Sequence, residues 1–199
     1  MPRYPVLLLL LCAALAQAEA LRTSRDPETG LRSWTLSAPP VQIELIQRLP
    51  DQTRGFFLAR GFPRRVADDI ATHCVLQAIG RNVAPPGDGP VFVIDLSDWR
   101  IRLPGEQRLR PIKLKSDWLA EWRDDPAVSR AARIAFRWAT FPTRQTYRPT
   151  DYNWGMISFG PPPGTVFDLQ VAWRVDGHVQ RRWIEGVECP PDRDVPPAE

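Results

Sequence analysis

The stretch Phe167 to Val175 constrains the fold more than any other part of the chain. Phe167, Leu169, Val171, Trp173 and Val175 alternate without interruption with Asp168, Gln170, Ala172 and Arg174. A period of two places one set on each face of a strand, and no helix accommodates it. Asp176-Gly177 follows, the residue pair preferred where both central positions of a tight turn need positive φ, and His178 to Ile184 returns as a partner strand. The chain therefore contains an antiparallel hairpin, and the rest of the fold must bury its apolar face.

Other segments repeat the strand pattern. Val41, Ile43 and Leu45 alternate with polar residues, Cys74 to Asn82 is apolar on both faces, and Val91 to Leu96 continues through a bend at Ser97-Asp98 into Trp99 to Leu103. Arg133 to Thr140 alternates Ile134, Phe136 and Trp138 against smaller or polar residues and reads as a strand, as does Trp154 to Phe159. Two places break the pattern. Between Asp51 and His73 the period lengthens to about 3.6, with Gly61 separating two short helices and Phe62, Val66 and Ile70 sharing a face. Ser116 begins a further short helix over about 116–123, which sets Trp118 and Trp122 on one face.

These elements predict a mainly β fold, an antiparallel β-sandwich with a helical insertion at about 51–73, a small barrel being the alternative. Cys74 to Asn82, the following loop and Val91 onward, with a late Pro-Pro-Gly turn into the strand at 167, resemble the immunoglobulin-like modules of bacterial extracytoplasmic proteins. The resemblance spans residues 41–189 in pattern, and the helical pair departs from a simple module of that kind. It implies a binding or accessory role outside the cytoplasm.

The ends read separately. Met1 to Ala18 has a basic start, an apolar middle from Val6 to Leu15 and Ala16-Gln17-Ala18 as a cleavage pattern, the form of a secretory signal. The apolar run of about ten residues is too short to span a bilayer. Residues 19–40 are expected to form an N-terminal extension with a short strand near Trp34 to Leu36, residues 41–189 the single domain, and residues 190–199 a disordered, proline-rich tail. Of the three cysteines, Cys12 leaves with the signal. Cys74 and Cys189 are then expected to form a disulfide in a periplasmic or secreted protein, closing a loop of about 115 residues.

The chemical inventory excludes more than it suggests. Two histidines, His73 and His178, and two bonded cysteines fall short of a copper or zinc ligand set, so no metal and no cofactor is expected. No Gly-x-Ser-x-Gly nucleophile motif is present, and the acidic residues show no diagnostic spacing. With 26 basic and 23 acidic residues and no basic block, nucleic acid is not an expected partner. Arg100, Arg102, Arg108, Arg110, Lys113 and Lys115 form a basic stretch around Glu106, read as a solvated loop.

The segment Phe141 to Met156 reads as a long connection crowded with aromatic, amide and charged groups, and such loops often carry function. Arg144, Gln145, Tyr147, Asp151, Tyr152, Asn153 and Trp154 are its candidate binding residues. Tyr147, Tyr152 and Trp154 would stack on a ligand or a partner side chain, and the others would hydrogen-bond beside them. The competing reading is that they cover the end of the sandwich. The sequence thus points to a non-catalytic module binding another envelope protein, or alternatively to a glycan-binding or carbohydrate-active module.

Overall fold

The computed structural model describes residues 20–192. The first eighteen residues, read as a signal, therefore lie outside the described part, as do residues 193–199. The chain opens with three strands in a meander, β1 (Ala20–Arg25), β2 (Arg32–Ala38) and β3 (Val41–Gln47). Residues 20–38 thus belong to the sheet rather than to an extension outside the domain. Trp34 and Leu36 on β2 are almost wholly buried, which a peripheral segment would not achieve.

Two helices follow, α1 (Pro50–Leu58) and α2 (Arg64–Ala71). Pro50 opens the first, where its missing amide costs nothing, and the Gln52 side chain accepts a hydrogen bond from the Leu49 amide. Phe62, Val66 and Ile70 are buried together. The chain then runs through β4 (Val75–Asn82), β5 (Phe92–Asp95), a single 3-10 turn at Leu96–Asp98, β6 (Arg100–Arg102) and the two-residue β7 (Arg110–Pro111).

Next come α3 (Lys115–Glu121) and α4 (Arg130–Ala139). The second helix occupies the segment whose alternation reads as a strand. Ser129 caps it through the Ala132 amide at 3.1 Å, and Ala132, Phe136 and Ala139 form the buried face at helical spacing. Ile134 and Trp138, the apparent strand partners of Phe136, face solvent instead, 42% and 84% exposed. Four alanines in ten residues favour the helix, and the alternation was incidental.

The last strands are β8 (Arg144–Tyr147), β9 (Tyr152–Ser158), β10 (Val166–Val175) and β11 (His178–Glu188). The expected hairpin is β10–β11, closing at Val175 opposite His178. Asp176 and Gly177 both have positive φ, 49° and 79°, as that turn requires.

The strands form two antiparallel sheets. One has the order β1-β2-β3-β4-β9. In the other, β10 pairs with β11 along one edge and with β5 and β6 in tandem along the other, while β8 and β7 extend those two. Their facing sides enclose the main core, which includes Trp34, Leu45, Leu76, Phe92, Trp99 and Val171. The Cys74–Cys189 disulfide joins the residue before β4 to the residue after β11 and ties one sheet to the other. The four helices build a second core on the outer face of the first sheet, where Phe57, Trp118, Trp122 and Phe136 meet Val75 of β4 and Met156 of β9. The molecule is a β-sandwich with a helical layer over part of one sheet.

The tail also starts within the fold. Asp192 is 8% exposed and paired with Arg54 of α1, which also binds Asp51 at 2.6 Å and Asp68 at 2.8 Å. Residues 190–192 are therefore docked against the helical pair, not disordered.

Candidate functional site

The segment 141–156 is not a long loop. It supplies β8 to one sheet and β9 to the other, joined by a turn at residues 148–151, and its candidate residues separate accordingly. Tyr147 is fully buried and stacks on Phe92 with ring centroids 4.9 Å apart. It therefore cannot offer a ring to a ligand, and its hydroxyl lies against Gly80 with no hydrogen-bond partner among the described residues. Burial, with the nearby Asp151 charge, holds its phenol above the ordinary value.

Asp151 and Arg144 are also occupied. The Asp151 carboxylate accepts the Arg148 amide at 2.8 Å and closes the turn, while its carbonyl accepts the Asn82 amide at 2.8 Å. Arg144 pairs with Asp95 at 3.1 Å. Burial raises the Asp95 carboxyl, but the Ser97 hydroxyl and amide and the Arg144 guanidinium outweigh it and hold the group below its ordinary value. Gln145 donates to the Thr146 carbonyl at 3.1 Å beside it, and Asn153 stands opposite Gly80.

Tyr152 and Trp154 alone among the predicted aromatics remain open, 64% and 57% exposed. Two residues apart on β9, they share the outer face of the sheet with Arg81 and Ile79, their register partners on β4. The Arg81 guanidinium lies 5.8 Å from the Tyr152 ring centroid. The arrangement is a small, flat platform of two rings, one aliphatic side chain and one cation.

No family model, curated protein or solved structure matches the chain.

The edge of β9 adds a second property to this platform. Met156 and Ser158 are bridged from outside by Thr140 and Lys113, and the Phe141 amide donates to the Met156 carbonyl at 2.9 Å. Among the described residues no strand pairs with the outer edge of residues 152–154. Backbone groups on that edge are open to a further strand. Sequence reasoning found the two rings but missed the edge, because strand order is a non-local property.

The other aromatic pair has a structural role. Trp118 and Trp122 are buried and stacked at 5.4 Å, and the Trp118 indole donates to the Ser158 hydroxyl at 3.1 Å. His73 sits edge-on to Trp118 at 4.9 Å. Much of the basic stretch is likewise engaged: Arg102 pairs with Asp168, Arg110 with Glu106, and Lys113 with Glu121. Among the described residues, no three His, Cys, Asp or Glu side chains gather as a metal site, and no helix is long and apolar enough to cross a membrane.

Proposed function

We propose that the protein is a non-catalytic binding module of the cell envelope or secreted space, whose partner is another protein docking on the exposed half of β9. The observation that carries this reading is the coincidence of an open strand edge at 152–154 with two exposed rings on the same residues. A partner segment adding to that edge gains main-chain hydrogen bonds, while Tyr152 and Trp154 select its side chains. The disulfide supports an oxidising compartment, as does the signal-like leader. The Asp151 carboxylate, next to Tyr152 in the chain, closes a turn, which counts against a hydrolytic role for it.

The test is retention of a partner from the extracytoplasmic fraction by the wild-type chain and by Tyr152→Ala and Trp154→Ala. The proposal expects a partner that the wild type holds and both variants lose at unchanged thermal midpoint. Retention of a glycan instead, lost in the same variants, would establish the carbohydrate reading. Equal retention of a protein partner by all three chains would remove this face as the site.

A further inference from the structure

A second surface lies between α3 and α4. A cleft of about 420 Å³ is lined by Ser116, Leu119, Ala120, Arg123, Arg133 and Arg137. On α3, steps of 100° per residue place Ser116, Leu119 and Ala120 on one flank, away from Asp117 and Glu121, and Arg123 follows just past the end of the helix. Those two carboxylates are already engaged, Asp117 with the Leu114 amide and Glu121 with Lys113. Three arginines thus line a cleft that, among the described residues, no Asp or Glu lines. With 26 basic and 23 acidic residues overall, such segregation is not a consequence of net charge.

The cleft is also partly rigid. Arg133 is fixed by donation to the carbonyls of Trp122 at 2.5 Å and Asp125 at 3.0 Å, and its Nε is buried without an acceptor. Lys115 anchors the neighbouring helix start by donating to the Arg137 and Thr140 carbonyls. Among the described residues, Arg123, Arg130 and Arg137 form no ion pair.

On α4 the cations give way to apolar residues. The exposed sector runs from Arg137 and Arg130 through Ile134 to Trp138, the last 84% exposed and the most exposed large apolar side chain among the described residues. Ile134 and Trp138, four residues apart, form one apolar ridge. A ring that amphipathic, beside Arg130 and Arg137, has the composition of a helix lying in a membrane interface: the ridge enters the acyl boundary and the guanidinium groups meet phosphates.

We propose that the α3–α4 face docks on an anionic phospholipid surface, with Arg123 and Arg137 receiving lipid phosphate, Arg133 holding the two segments together beneath them, and Trp138 and Ile134 inserting at the interface. A free phosphate compound shares the headgroup chemistry but gives the exposed ridge nothing to enter, which favours the lipid. This site is separate from β9, and the two stand or fall independently.

The test is co-sedimentation of the full chain with vesicles of phosphatidylglycerol and of phosphatidylcholine, at low and high salt, with inorganic phosphate as a third arm. The proposal expects binding to phosphatidylglycerol that weakens with salt, falls by about tenfold or more in the Arg123→Glu/Arg137→Glu double variant, and falls by about threefold or more in Trp138→Ala. All three positions are exposed, so the variants should fold, and an unchanged thermal midpoint checks it. A blue shift of tryptophan emission on vesicles, lost in Trp138→Ala, would locate the inserted ring. Equal affinity for the two lipids, undiminished binding in the double variant, or saturation by inorganic phosphate without vesicle binding would each overturn it.

Discussion

The two halves of β9 lie on the same strand and differ in what covers them. Residues 155–158 are buried: Met156 enters the helical core, Ile157 the core between the sheets, and Ser158 accepts the Trp118 indole. Residues 152–154 leave two rings in solvent. Between the two halves Phe141, just beyond α4, runs beside Gly155, so close that an added Cβ would sit 2.4 Å from the Phe141 amide nitrogen. The outer face of β9 thus carries large side chains, Tyr152, Trp154 and Met156, on both halves, and only Met156 lies under the helices. A sheet face left bare for lack of cover is available for binding.

The largest effect that would test this contrast is removal of the cover. Trp118→Ala opens the helical core beneath the covered half, deletes the bond to Ser158 and should cost about 3–5 kcal/mol in chemical unfolding. A loss below about 1 kcal/mol would show that the helices are not what buries residues 155–158. Gly155→Ala attacks the boundary itself. Because the obstructing atoms are backbone, they cannot rotate away, and a cost of about 2–3 kcal/mol is expected by the same measurement.

Tyr147, on the other side of the 148–151 turn, is the buried counterpart of the two open rings. Its hydroxyl is buried with no partner among the described residues, so Tyr147→Phe removes an unpaid desolvation and should raise stability by up to about 1 kcal/mol at neutral pH. The folded phenol is held above its ordinary value, so the folded state binds the proton more tightly than the unfolded chain. Its contribution is complete below the unfolded value near pH 10 and is lost as pH rises beyond it. The wild type should therefore lose stability above about pH 10 more steeply than Tyr147→Phe in alkaline unfolding curves. Parallel curves would show that Tyr147 is accessible, and would return it to the binding site.

The sequence revealed those parts of this architecture that are governed by local rules. The hairpin at 167–184 was readable because alternation and Asp176-Gly177 agree, and the helical pair because Gly61 and Pro63 punctuate a clear change of period. The disulfide followed from counting cysteines. α4 was misread because Ile134, Phe136 and Trp138 fit both periods over so short a run. Ser129 and the alanines were the signals that would have decided for the helix. The candidate site was half readable. Aromatic and polar crowding marked residues 141–156, but which of Tyr147, Tyr152 and Trp154 faces water depends on β8 and β9 joining different sheets, and no pattern within the segment carries that.

The smallest stability effect belongs to the bare half of β9, and there the smallness is the point. Tyr152 and Trp154 make few internal contacts at their exposure, so Tyr152→Ala and Trp154→Ala should each shift folding stability by no more than about 0.5 kcal/mol, as surface substitutions generally do. Exposed aromatics on an open strand edge are nevertheless the residue types that dominate interfaces when buried, and each truncation should weaken partner binding by about 2 kcal/mol or more, roughly thirtyfold in Kd. Stability loss in the Trp154 variant comparable to that of Trp118→Ala would show that the two halves of β9 are equally part of the core.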